Sequence, residues 1–124
     1  MSEIYFKEES YKLIGLCMEV HRTLGMGFKE ATYKDALELE FQDNLIIYER
    51  EKKFSVEYKN RLLSSYYVAD FVVYNGIILE IKAASAIVDP HLYQAISYLK
   101  ASELRLGIII NFGTPSLDYK RVVF

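Results

Sequence analysis

Cysteine is almost missing: Cys17 is alone in 124 residues, so the chain cannot close a disulfide on itself. Histidine is nearly as scarce, with only His21 and His91, and one cysteine with two histidines cannot furnish a Cys-rich zinc site. Any metal must therefore be held by carboxylates. An excess of one charge is missing too. Fifteen Lys and Arg stand against seventeen Asp and Glu, a formal net charge of -2, so the whole-molecule field offers no general attraction for a polyanion or an anionic membrane. Such a partner has to be met locally. No apolar run approaches the roughly 20 residues that span a bilayer, and the opening residues carry acids where a secretory leader needs bases. The expectation is a soluble, cytoplasmic protein with no membrane partner. At 52% apolar and 26% charged residues, the length suits one domain over residues 1–124.

The charge is uneven along the chain. Residues 1–57 hold 12 acids and 8 bases, residues 58–124 only 5 acids and 7 bases. Two of those five, Asp70 and Glu80, interrupt apolar runs, Tyr66-Tyr67-Val68-Ala69 before Phe71-Val72-Val73 and Ile77-Ile78-Leu79 before Ile81. A carboxylate there is expensive to desolvate unless it has a partner or a task.

Periodicity orders the elements. Leu13, Leu16, Cys17, Val20 and Leu24 recur at helical spacing over 9–24, Gly25 and Gly27 end that helix, and a second helix follows over about 28–41. Phe54, Val56 and Tyr58 then alternate with polar residues as a half-buried strand, with a turn at Asn60-Arg61. Residues 66–74 and 77–82 are apolar on both parities and predict a hairpin of strands covered on both faces. Asp89-Pro90 opens a third helix to about Ser102 with the aspartate as N-cap, residues 105–112 form a buried strand brought parallel by that helix, and a short strand closes the chain from Tyr119. The order ααβββαβ predicts an α/β sandwich: a mixed central sheet with helices on both faces.

Several polar groups fall where apolar ones are expected. His21 lies on the inner face of the first helix, and Glu30 shares a stripe with Tyr33, Leu37 and Phe41, so both are expected to point inward. A two-residue turn at Asn75-Gly76 would put Asp70 and Glu80 on opposite faces. A three-residue loop, Tyr74-Asn75-Gly76, with the glycine left-handed, pairs Val73 with Ile77 and sets Asp70 opposite Glu80. The second is expected because Lys82 then joins the same face and neutralises two buried carboxylates. An Asp and a Glu supply hard oxygen ligands for Mg²⁺ or Mn²⁺, and a lysine beside them can serve an attacking water and a phosphate-centred transition state. On the third helix Gln94 and Tyr98 stand one turn apart with His91 nearby, suited to bonding a phosphate or a nucleobase edge.

Asp70, then Glu80-Ile81-Lys82, then Gln94-x-x-x-Tyr98, together with the upstream Gly27-x-x-Glu30-x-x-Tyr33, resemble the PD-(D/E)XK nuclease superfamily and within it the single-domain GxxExxY branch. Ala69 departs from the proline of the superfamily name at a position that is not a ligand. The resemblance implies a restriction-endonuclease-like three-layer sandwich and a metal-dependent nuclease acting on DNA or RNA. It implies that Asp70, Glu80 and the Ile81 carbonyl bind Mg²⁺ or Mn²⁺, with Glu30 as an added acidic ligand or water-holder. Lys82 would serve the attacking water, Gln94 and Tyr98 would steady site or substrate, and His21 would line the same pocket. The alternative is a nuclease-fold module that binds nucleic acid or a protein without cutting, and a homodimer or a recognition partner is compatible with either.

Overall fold

In the computed structural model residues 6–124 are described. Helix α1 (Lys7–Leu24) ends where Gly25 turns to a φ of 72° and donates its N–H to the His21 carbonyl. Gly27, at a φ of 111°, completes a reversal that any side chain would strain. Helix α2 (Glu30–Asp43) lays Tyr33, Leu37 and Phe41 against α1 and the sheet. The sheet is formed by β1 (Tyr48–Tyr58), β2 (Arg61–Val73), β3 (Ile77–Lys82), β4 (Leu106–Asn111) and β5 (Asp118–Val123), adjacent in that order. Helix α3 (Asp89–Ser102) crosses over between β3 and β4, which are parallel, while every other neighbouring pair is antiparallel.

Two apolar layers sandwich the sheet. Phe71, Val73, Ile77, Leu79 and Ile81 turn toward α1 and α2, together with Leu106, Ile108 and Ile110 of β4. Ala69, Val72, Ile78, Ile109 and Val122 meet Ala95 and Leu99 of α3 on the other face. This is the expected three-layer α/β sandwich with a mixed sheet, and the short strand expected from Tyr119 is β5. No helix among the described residues is long and apolar enough to cross a membrane.

Four expectations need correction. Strand β1 begins at Tyr48, five residues before its alternation shows, because Arg50 and Glu51 both reach toward α2: Arg50 pairs with Asp35 and Glu38, and Glu51 accepts from Lys34. Glu51 takes a φ of 55°, and this break in the pleat hides the strand's period. Strand β2 begins at Arg61 rather than Tyr66, and the expected stretch is not covered on both faces throughout, since Tyr66 and Val68 are exposed. In the hairpin the loop length is the expected one, Val73 pairing with Ile77, but Tyr74 and Asn75 take the left-handed conformation and Gly76 does not. A side chain at Gly76 would instead run into the Phe6 ring. Finally, Val88 rather than Asp89 occupies the cap of α3, and His91 Nδ1 accepts the Val88 N–H at 3.1 Å.

Candidate active site

The β2–β3 ladder pairs Val73 with Ile77, Val72 with Ile78 and Phe71 with Leu79. One step further the backbones no longer exchange hydrogen bonds and the two carboxylates take over. Glu80 Oε2 accepts the Asp70 N–H at 2.9 Å, and Asp70 Oδ2 accepts the Ile81 N–H at 2.7 Å. The strands part at the C-terminal end of β3, and the carboxylates satisfy backbone donors that the parting would orphan. Continued by one pair, the observed register sets Asp70 opposite Glu80, as expected from the three-residue loop.

The cation beside them is not the expected one. Lys34 of α2, only 8% exposed, donates to Asp70 Oδ1 at 2.9 Å and to Glu51 Oε1 at 3.3 Å. Lys82 turns to α3 and donates to Gln94 Oε1 at 3.1 Å. The difference follows from strand parity. Glu80 and Lys82 alternate with Ile81 and so face α3, whereas Asp70 sits at a break in the pleat that sends it toward α2. Lys34 was hidden in the sequence on an ordinary charged helix; its one signal is that it stands four residues after Glu30, on the same helix face.

The electrostatics are polarised. Burial first, and then the Asp70 charge, push the Glu80 carboxyl from an ordinary 4.5 up to about 8, against the relief given by the Asp70 N–H, Lys82 and Lys34. Lys34 feels desolvation most strongly, yet its bonds to Asp70 and Glu51 hold it above the usual lysine range. A carboxylate held in such a place is a standing demand for positive charge.

The other expected residues divide. Gln94 meets Lys82. Tyr98 stacks face to face on Tyr67 at 3.8 Å between centroids, and the Tyr67 hydroxyl donates to the Tyr98 carbonyl. Burial and then the charges of Glu80 and Asp70 raise the Tyr98 phenol. Glu30 is exposed rather than inward, because it opens α2 instead of lying within it; Oε2 accepts the Ala83 N–H, one residue beyond Lys82, at 3.3 Å. Tyr33 is fully buried, donates to the Gly25 carbonyl at 2.6 Å and accepts the Phe28 N–H at 3.2 Å. The Gly27-Glu30-Tyr33 pattern thus ties the turn between α1 and α2 to the end of β3. His21 is buried as expected, but Nε2–H donates to the Thr114 carbonyl at 2.9 Å, and the ring stacks on Phe112. It lines a cavity of about 620 Å³ with Met18, Arg22 and Pro115, a cavity to which neither Asp70, Glu80 nor Lys82 contributes.

A further residue was missed. Asn111, fully buried at the end of β4, accepts the Ala84 N–H and donates to the Ala84 carbonyl, each at 2.9 Å, while the Lys82 carbonyl accepts the Phe112 N–H at 2.8 Å. These bonds fix the chain just past Lys82. The signal was present: Asn111 interrupts an apolar run just as Asp70 and Glu80 do.

Among the described residues no group of three or more His, Cys, Asp or Glu gathers closely enough to hold a metal. Asp70 and Glu80 are two hard carboxylates, with the Ile81 carbonyl as a further oxygen, and that set suits a small divalent cation that keeps several waters. The profile of the PD-(D/E)XK nuclease superfamily matches residues 7–122. This chain belongs to that superfamily. The match spans both helical layers and all five strands, so the nuclease-type fold extends to the β5 edge. A solved structure titled "Crystal structure of SSO0001" has a similar fold, with a TM-score of 0.62 at 16% identity. The likeness covers 95% of this chain and 59% of that one, so this superfamily member spans little more than half of the neighbour's length. Among curated proteins none is a significant match.

Proposed function

We propose that this protein is a metal-dependent nuclease, belonging to the GxxExxY branch of its superfamily and hydrolysing phosphodiester bonds of DNA or RNA. The observation that carries the reading is the convergence of Asp70 and Glu80 where β2 and β3 part, with Glu80 pushed up to about 8 by burial and by Asp70. An inert core has no use for that cost, whereas a divalent cation relieves it.

In this reading Asp70, Glu80 and the Ile81 carbonyl hold Mg²⁺ or Mn²⁺. The cation supplies Lewis-acid polarisation of a phosphate oxygen. Lys82 serves the attacking water, and Gln94, which accepts from Lys82 Nζ, aims the amino group. Lys34 orients Asp70 through the ion pair to Oδ1. Glu30 acts through the Ala83 N–H as a positioning residue, and Tyr98, on the α3 side with Glu80, is placed to meet substrate. His21 lies in a separate cavity and is given a structural part.

The alternative, a nuclease-fold module that binds without cutting, is favoured by one observation: Lys34 already supplies Asp70 with a cation. Incubation of single-stranded and duplex DNA and RNA with Mg²⁺ or Mn²⁺ separates the two. The nuclease reading expects cleavage that requires the metal and vanishes in Asp70→Ala and Lys82→Ala. No cleavage, with no Asp70-dependent metal binding by calorimetry, decides for the silent module.

A further inference from the structure

Strands β1 and β2 run on together past the packed core, where the C-terminal half of α3 borders only a cavity of about 580 Å³ beside them. Every residue from Ser55 to Tyr66 except Val56 is exposed. The register shifts between Ser55 and Glu57, where Val56 faces the three residues Leu63, Ser64 and Ser65, a bulge of the kind that bends a strand and increases its twist. An isolated two-stranded ribbon is marginal in water, so an arm of this length needs a reason to stand out.

Its surface is unlike the rest of the molecule. Residues 52–66 hold four bases, Lys52, Lys53, Lys59 and Arg61, against the single acid Glu57, in a chain whose net charge is -2. Among the described residues, neither Lys53, Lys59 nor Arg61 enters an ion pair. Two of them instead lie over aromatic rings, Lys53 4.0 Å from the centroid of Tyr66 and Lys59 5.3 Å from that of Tyr58. Both rings are more than half exposed. Basic groups interleaved with open aromatic rings match a strand of alternating phosphates and bases.

The arm also points at the site. Tyr66, Val68 and Asp70 follow one another at two-residue steps along β2 and so share a face, with Lys53 paired to Val68 beside them. Four residues of strand place Tyr66 about 13 Å from Asp70.

We infer that the β1–β2 arm is the nucleic-acid grip of this protein and that its ligand is a single strand. Phosphates lie against Lys53 and, at the tip, Lys59 and Arg61. Bases stack on Tyr66, and the strand runs on along β2 to Asp70. The inference rests on the nuclease reading for what happens at Asp70, but the binding it describes does not require cleavage.

The test is fluorescence anisotropy of labelled single-stranded DNA, single-stranded RNA and duplex DNA in EDTA, over a range of salt. The proteins are the wild type, Lys53→Gln/Lys59→Gln/Arg61→Gln, Tyr66→Ala, and Lys12→Gln on the exposed side of α1 as a control, with thermal unfolding checked for each. Single strands should bind more tightly than duplex. The triple variant should lose at least about tenfold in affinity and flatten the log–log salt dependence by about 2. Tyr66→Ala should lose about five- to fifty-fold, and Lys12→Gln nothing. Triple-variant binding equal to wild type, tighter binding of duplex, or no binding of any nucleic acid overturns the inference. Cleavage assays on the same proteins separate the two readings. A wild type that cuts while the triple variant binds unchanged leaves the nuclease and removes the arm. Arm-dependent binding without any cutting leaves the arm and removes the nuclease.

Discussion

Lys34 Nζ lies 2.9 Å from Asp70 Oδ1, so the metal-binding carboxylate proposed here is ion-paired to a helix that contributes none of the PD-(D/E)XK motif. A lysine in that place does part of a cation's work. Replacing it with methionine removes the counter-charge from a carboxylate whose side chain is only 21% exposed. We expect Lys34→Met to lower stability without metal by about 1–3 kcal/mol. We also expect Mn²⁺ to raise its melting temperature by more than it raises that of the wild type, since the variant lacks the ion pair to Asp70. Thermal scans with and without Mn²⁺ check both, and equal metal-induced shifts would refute the prediction.

Glu80 makes stability depend on pH. Its folded-state value, about 8, lies above the ordinary 4.5, so the folded protein binds this proton more tightly than the unfolded chain does. Its contribution is complete below about pH 4.5 and is lost as the pH rises through about 8. Glu80→Gln keeps an oxygen for the Asp70 N–H and cannot ionise. Without metal it should match the wild type near the lower limit and exceed it by about 1–3 kcal/mol above the upper one. Chemical denaturation across that range decides, and a gap that does not widen with pH speaks against the buried charge.

Lys82→Ala should spare the fold, because Lys82 bonds to exposed Gln94 rather than to either carboxylate. Turnover should fall by about 10²–10⁴, the usual worth of a positioned proton-transfer group. Gln94→Ala should fall by less, with a shifted pH–rate profile. Single-turnover assays beside melting curves would show whether activity and stability separate in this way.

Asn111→Leu fills the same space and removes both bonds to Ala84. It should destabilise by about 2–4 kcal/mol through the unpaired Ala84 N–H and carbonyl. Gly113→Ala attacks the same clamp sterically, since a methyl there would overlap the Ala83–Ala84 backbone. Both should lower cleavage beyond their cost in folding, measured at a temperature where the variants remain folded.

Much of this was legible in the residues and some of it was not. The hairpin register followed from loop length, because a one-residue slip would have reversed every side chain of β3. Asp70, Glu80 and Asn111 all carry the same signal, a polar group inside an apolar run. Only the first two were read from it, since an amide has no charge to betray the cost. Lys34 was illegible because a lysine on a helix is ordinarily solvated, and its burial depends on the break at Glu51 and Asp70 that turns both toward α2. The exposed arm was illegible for the opposite reason. Leu62, Leu63 and Tyr66 look like core residues in a pattern that counts only apolarity.

Because the Asp70 and Ile81 amides donate to the carboxylates of Glu80 and Asp70 rather than to a neighbouring backbone, two protons of the main chain carry a record of the site's ionisation. Their chemical shifts and exchange rates should move when Glu80 titrates or when a cation draws the oxygens away. The protein thus contains its own pair of spectroscopic probes, readable without a label, a substrate or turnover.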